Sequence, residues 1–312
     1  MTVKILVALQ SFGEYSDVPK RMLQNSGAEV IFNNFGHRLT HEEIIRLGTG
    51  CQAVIAGVEP YDREVLSRLP DLRCISRSGV GTDNIDLECA QAKGITVLNT
   101  PEVVVQPVAE MTLAMMFDLL RMLTFHTSVL RSGQWNKRAG HLISSRKVGI
   151  IGLGRIGRRV SELLRLFNAD VMGYDIYPDR SWAKEHGVRI VDLQTLLTES
   201  DIISIHVSFS PENPFILGKT EFDKMKKGTI VINTSRGQVI DEAALYQALR
   251  SGHLGGAGLD VFRNEPYEGP LCSLENVVLT PHISTLTEES RAEMEHEAVV
   301  NVLKFLNFPV QQ

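Results

Sequence analysis

The chain has 312 residues, 43% of them hydrophobic, and a formal net charge of −5. Its length supports roughly two domains with sizeable cores, and it has no basic excess pointing to nucleic acid. The most apolar stretch, 103–123, is interrupted by Glu110, Asp118 and Arg121, which argues against a membrane span.

Residues 1–100 alternate strand-like and helix-like runs. Strands are expected at 4–9, 29–33, 53–56, 73–76 and 96–98, with helices around 18–25, 42–47, 63–69 and 87–92. This rhythm predicts a parallel sheet with helices on both faces. The first apolar run is too short for a signal peptide and reads as a strand. It leads into Gln10-Ser11-Phe12-Gly13, so no glycine-rich phosphate turn follows it. The first domain is therefore expected to be doubly wound without a dinucleotide site of its own. Pro101 ends it. A long helical pattern follows (Val108, Met111, Met115, Leu119, Met122, Leu123), then an arm with Trp135, Lys137 and Arg138. A long apolar helix followed by an arm suits a dimer contact. Cys51, Cys74, Cys89 and Cys272 are scattered, with no C-x-x-C pair to suggest zinc or redox chemistry. No metal is expected, and the cytoplasm is the expected compartment.

The segment 147–175 organises the rest. An apolar run ends at Gly152, and Gly152, Gly154 and Gly157 stand at G-x-G-x-x-G spacing with Arg155 and Ile156 between them. Val160, Leu163, Leu164 and Phe167 then recur at helical spacing, so the glycines fall on a strand-to-helix turn. Such a turn lets the backbone approach a pyrophosphate, while the helix start offers free N–H groups and a positive dipole end. A second strand follows and ends at Asp175, 18 residues beyond Gly157, near the distance expected of an acid that accepts from an adenosine ribose. That carboxylate repels a 2′-phosphate, so NAD is favoured over NADP.

Further strands are expected at 202–207, 229–233, 257–261 and 277–279, and helices at 193–197, 220–225, 242–250 and 288–305. The fold class is α/β with two doubly wound, Rossmann-like parallel-sheet domains. The final helix is expected to complete the N-terminal domain, which is then discontinuous. Three strand-end motifs supply an arginine, an acid and a histidine: Ile232-Asn-Thr234-Ser235-Arg236, Leu259-Asp260-Val-Phe-Arg-Asn-Glu265-Pro and Leu279-Thr-Pro-His282. Each has an ordinary explanation alone. Together they meet the needs of a 2-oxo acid reductase: a cation for the carboxylate, an imidazolium to protonate the ketone oxygen, and a carboxylate to orient the imidazole.

With Arg77-Ser-Gly-Val-Gly-Thr-Asp-Asn-Ile-Asp86, Asn99-Thr-Pro101, Val108-Ala-Glu110, Lys226-Lys-Gly228 and these motifs in order, the chain resembles the D-isomer-specific 2-hydroxyacid dehydrogenases, nearest their phosphoglycerate dehydrogenase branch. The resemblance implies a flavodoxin-like substrate-binding domain of 1–99 plus 286–312. It implies an NAD-binding domain of 100–285, with a dimerisation helix and arm at about 102–145. It casts Arg236 as the carboxylate clamp, His282 as proton donor or acceptor, and Glu265 as the partner of His282. Backbone N–H groups of Ser78, Gly79, Val80 and Gly81 would meet the substrate carboxylate, with Arg77 beside them. Cofactor contacts are implied for Gly152, Gly154, Arg155, Ile156, Gly157 and Asp175. They are also implied for His206, Val207, Ser208, Thr234, Ser235, Arg236, Asp260 (at the nicotinamide carboxamide) and His282. A cleft closing over a small acid and a homodimer or dimer of dimers are further expectations, as is the absence of room for a regulatory domain.

Several residues depart from that branch. Val104 stands where asparagine is usual and points toward the glyoxylate and hydroxypyruvate reductases. His206-Val-Ser208-Phe-Ser-Pro replaces a His-x-Pro run, and Ile283-Ser-Thr-Leu lacks a usual Gly/Ala pair. The expected activity is NAD-linked interconversion of a D-2-hydroxy acid and its 2-oxo acid, with D-3-phosphoglycerate the first candidate. Glyoxylate or hydroxypyruvate reduction is the alternative, and an NAD-sensing protein of corepressor type is the reading from another class.

Overall fold

A computed structural model describes residues 2–209 and 216–310. They form two compact units, one within 1–104 and 286–312, the other within 105–285. Both are α/β with wholly parallel sheets.

The first unit runs β1 (Lys4–Val7), α1 (Val18–Asn25), β2 (Glu29–Phe32), α2 (His41–Gly48), β3 (Ala53–Ala56), α3 (Arg63–Ser67), β4 (Cys74–Arg77), α4 (Leu87–Ala92) and β5 (Thr96–Leu98). The strand order is β2-β1-β3-β4-β5. Strand residues alternate between two apolar layers, Leu6, Val54 and Ile75 facing one and Ile5, Ile55 and Cys74 the other. A strand buried on both faces needs a continuous apolar run, which is why β3 reads Ala-Val-Ile-Ala. Helix starts are fixed locally. Thr40 and Glu43 form a capping box on α2, and the carboxylates of Asp62 and Asp86 accept from the third-residue N–H of α3 and α4. Burial pushes the Cys51 thiol up to about 11 and that of Cys74 up to about 12, so both are inert core groups.

The second unit opens with α5 (Val105–Arg121) and α6 (Leu123–Arg131), separated by Met122 in the left-handed region at φ 51°. It continues β6 (Lys147–Ile151), α7 (Arg155–Leu166), β7 (Asp170–Tyr174), α8 (Arg180–Glu185), β8 (Arg189–Ile190), α9 (Leu193–Glu199), β9 (Ile202–Ile205), α10 (Lys219–Lys224), β10 (Ile230–Asn233), α11 (Glu242–Arg250), β11 (Gly256–Leu259) and β12 (Val277–Leu279). The order β12-β11-β10-β9-β6-β7-β8 reverses its winding between β6 and β9. Open sheets of this kind bind ligands at the strand carboxyl ends beside that reversal. Among the described residues no helix is long and apolar enough to cross a membrane.

The chain then returns as α12 (Glu288–Phe305), whose Ala298, Val299, Val302 and Leu303 enter the first unit's Ile5–Ile55–Cys74 layer. Glu295 on this helix is 1% exposed and accepts a 2.8 Å bond from the Gly13 N–H. Burial pushes its carboxyl up, and the Gly13 bond opposes this only in part. Folding thus disfavours its ionised form, a cost that grows as pH rises through the carboxylate range. Glu295→Ala, which orphans the Gly13 donor, is expected to lower stability by about 1–3 kcal/mol in urea titrations. Glu295→Gln keeps an acceptor and is expected to gain on the native chain as pH rises.

Candidate active site

The glycine turn sits where β6 meets α7. Gly152 is at φ +92°, and a Cβ there would lie 2.4 Å from the His206 carbonyl oxygen. A Cβ on Gly157 would lie 1.9 Å from the Gly152 carbonyl, so α7 is pressed onto the turn. Gly154, by contrast, faces open space, and no side chain caps α7. The first N–H groups of that helix are left to an anion. Asp175 closes the arrangement: Leu153 N donates to one of its oxygens at 2.7 Å and Tyr177 N to the other at 2.8 Å. Each oxygen keeps a second lone pair for a ribose hydroxyl. These residues fit a dinucleotide. Like-charge juxtaposition costs several kcal/mol, so Asp175→Ser should move the kcat/KM ratio toward NADP(H) by about tenfold or more. Steady-state kinetics with both cofactors measure this.

Other expected cofactor residues are placed less uniformly. Arg155 is exposed, and Ile156 packs into the core beneath the turn. The His206 side chain is turned inward: Nε2 meets Ser204 Oγ at 2.8 Å, and Nδ1 is buried without a partner among the described residues. Burial pushes its pKa down to about 3, so it stays neutral, and its carbonyl oxygen stands where a Cβ on Gly152 would go. Val207 is half-buried and Ser208 exposed; Ser210 and Pro211 of the same run lie outside the described residues. Thr234 is buried, with its hydroxyl 2.9 Å from that of Thr112, and Ser235 bonds Asn233 through both N–H and hydroxyl.

At the carboxyl edge of β10, β11 and β12 the three motifs converge. His282 Nδ1 lies 2.9 Å from Glu265 Oε2, while Glu265 Oε1 accepts from Phe262 N at 3.0 Å. Burial raises the Glu265 carboxyl, but the bonds from His282 and Phe262 and the charges of His282 and Arg236 outweigh it, leaving it below its ordinary range. A Cβ on Gly237 would lie 1.9 Å from the Phe262 carbonyl carbon, so the Arg236 turn is packed against the segment leading to Glu265. A cavity of about 510 Å3 opens beside the dyad, with Phe262, Tyr267, Leu279 and Pro281 in its wall. Asp260, expected at the nicotinamide, is buried and accepts from Thr280, Ile283 and Ser284. Among the described residues, no group of three His, Cys, Asp or Glu is placed to hold a metal ion.

In the first unit, Gly79 adopts φ +130°, a conformation suited to glycine, and a Cβ there would overlap the Arg77 guanidinium. Two of the four expected N–H donors are already engaged: Ser78 N bonds Ala56 O at 2.8 Å and Gly79 N bonds Thr100 Oγ1 at 2.8 Å. Those of Val80 and Gly81 have no protein partner among the described residues. The sequence reading missed Glu59, which is 2% exposed and accepts from Gly57 N at 2.7 Å. Gly57 follows Ala56, the register partner of Arg77, so this acid leaves the sheet beside that cation.

Residues 113–284 match the sequence model of the D-isomer specific 2-hydroxyacid dehydrogenase NAD binding domain. A D-3-phosphoglycerate dehydrogenase of Archaeoglobus fulgidus is 36% identical over 97% of this chain. A glyoxylate reductase of Korarchaeum cryptofilum is 37% identical over 84% of this chain and 82% of its own. The chain belongs to the D-isomer-specific 2-hydroxyacid dehydrogenase family. It spans 58% of the length of the Archaeoglobus protein. A family D-lactate dehydrogenase from Aquifex aeolicus, solved with NAD and lactic acid, superposes with a TM-score of 0.84 at 28% identity, covering 99% of each chain.

Proposed function

We propose that this protein is an NAD-dependent dehydrogenase interconverting a D-2-hydroxy acid and its 2-oxo acid. The Glu265–His282 pair, 2.9 Å apart at the edge of a sheet that carries a dinucleotide turn, is the observation that supports it best. NAD(H), when bound, supplies or accepts the hydride. With Nδ1 held by Glu265, His282 has Nε2 left to give a proton to the ketone oxygen or to take one from the hydroxyl. Glu265 orients the imidazole through Nδ1, and Arg236 supplies a fork matched to the substrate carboxylate. Within the first unit, the Val80 and Gly81 N–H groups are the two donors of the expected anion-binding loop without a protein partner among the described residues.

For the acid itself, Arg77 supports D-3-phosphoglycerate. Reduction of glyoxylate or hydroxypyruvate is a second reading, favoured by Glu59: burial raises its carboxyl, the charges of Arg38 and Arg77 oppose that rise, and its ionised form offsets them. Val104, whose apolar character motivates the same reading, is buried. The kcat/KM ratio of 3-phosphohydroxypyruvate to hydroxypyruvate separates the two readings. A ratio well above one supports the phosphorylated acid. A ratio below one, raised about tenfold by Glu59→Gln, supports the small acid. Assembly through 102–145 is proposed as well: α6 buries none of its own residues, and Leu123, Leu130, Trp135 and Leu142 are exposed. Sedimentation equilibrium reads the mass directly.

A further inference from the structure

The loop that carries His282 is held on both sides by one carboxylate. Asp260 directly follows β11, is fully buried, and lies level with the start of this loop, since Thr280 N donates to Leu259 O at 3.0 Å. Its Oδ1 accepts from Thr280 Oγ1 at 2.6 Å and Ile283 N at 2.8 Å. Its Oδ2 accepts from Ser284 N at 2.8 Å and from the Ser284 hydroxyl. Between these contacts His282 sits at φ +55°, a left-handed conformation uncommon for a residue with a side chain. Such a backbone persists only where its surroundings over-determine it. The two backbone donors are available to any residue, whereas the two hydroxyls are particular to Thr280 and Ser284. Ser284 is 5% exposed and its hydroxyl already bonds Asp260. It is therefore not a free hydroxyl on a substrate-facing wall.

We propose that Thr280 and Ser284 are positioning residues that act through Asp260 to hold His282 in line with its substrate. Asp260 then serves as an anchor for the loop, taking four donors from Thr280, Ile283 and Ser284. The inference rests on His282 being the proton-transferring group. Loss of either hydroxyl leaves Asp260 with one donor fewer and relaxes the loop that fixes the imidazole. A misplacement of about 1 Å is enough to cost about a hundredfold in rate.

The test uses the full-length protein with NADH and whichever 2-oxo acid it turns over best, comparing Ser284→Ala, Thr280→Val, Thr280→Ser and His282→Ala. The expected result is a kcat lowered about tenfold to a hundredfold in Ser284→Ala and Thr280→Val. KM for the oxo acid and the NADH dissociation constant stay within about twofold of the native values, since both deleted hydroxyls are bonded to Asp260, that of Thr280 included although the residue lines the cavity. Thr280→Ser, which keeps the hydroxyl, restores kcat. Native kcat in both hydroxyl-deletion variants, or a lowered melting temperature with unchanged kcat, overturns the proposal. If Ser284→Ala does not fold, the Thr280→Val and Thr280→Ser pair decides by the same criteria. A fully active His282→Ala sinks the functional reading itself, an outcome distinct from the failure of this one.

Discussion

On the proposed function, replacing His282 with Ala is expected to lower kcat for 2-oxo acid reduction by about 10²–10⁴-fold, the usual contribution of a positioned acid or base, while NADH still binds. The separation follows from where the residue sits. His282 pairs with Glu265 beyond the end of β12, whereas the glycine turn and Asp175 lie at β6 and β7. The direction of the pH dependence follows too. In the proposed reaction, reduction draws a proton from His282 and is expected to decline as pH rises, while oxidation delivers one to it and is expected to climb. Glu265 is depressed, so its pairing stabilises the fold at neutral pH and is lost only as pH falls through the carboxylate range. Glu265→Gln removes the carboxylate that His282 Nδ1 meets at 2.9 Å and is expected to lower kcat for reduction. Stopped-flow and steady-state rates across pH, with NADH fluorescence titration, measure all of this. Weakened NADH binding in His282→Ala would instead mark the residue as part of the scaffold.

Gly157→Ala is the second large effect, and it acts on binding. The added carbon would stand 1.9 Å from the Gly152 carbonyl oxygen and 3.3 Å from Ile150 Cγ2. Backbone cannot yield as a side chain does, so α7 must lift from the turn. That displaces the helix N–H groups from the phosphates and opens the packing over Val160 and Leu164, both fully buried. The NADH dissociation constant should rise at least about tenfold, with a stability loss of about 1–3 kcal/mol, as expected of overpacking. Gly154→Ala is the matched control: its Cβ would meet nothing within 4 Å, so the protein fold should tolerate it. Equal damage from both would mean that the glycines serve conformation alone.

Much of this was legible in the chain because the signals are local. The glycine spacing, the following helical stripe and the terminal acid together gave β6, α7, β7 and Asp175. Continuous apolar runs gave the buried parallel strands. The element ends were less legible: Ala8 and Leu9 extend the first apolar run and are buried, yet pairing in β1 stops at Val7. The short α8 and β8 are too brief to show a period. Nothing in the sequence marks the break at Met122, where a residue other than glycine takes a left-handed turn.

At the site, residue types were readable but hydrogen-bond partners were not. Ser78 and Gly79 fit an anion-binding loop by pattern, yet Ala56 O and Thr100 Oγ1 already take their N–H groups. These acceptors lie 22 and 21 positions away along the chain, beyond the reach of local pattern. His206 shows the same limit, its imidazole drawn inward by Ser204. Asp260 shows it most clearly, because its donors come from the very loop that carries His282.

The central claim is tested most directly by following NADH oxidation with a panel of 2-oxo acids, including 3-phosphohydroxypyruvate, hydroxypyruvate, glyoxylate and pyruvate, and resolving the chirality of the products. Turnover is expected on at least one of them, with a product of D configuration wherever the product is chiral, and at a rate lowered at least about a hundredfold in Arg236→Ala and His282→Ala. Tight NADH binding with no turnover on any member, or a product of L configuration, would contradict it.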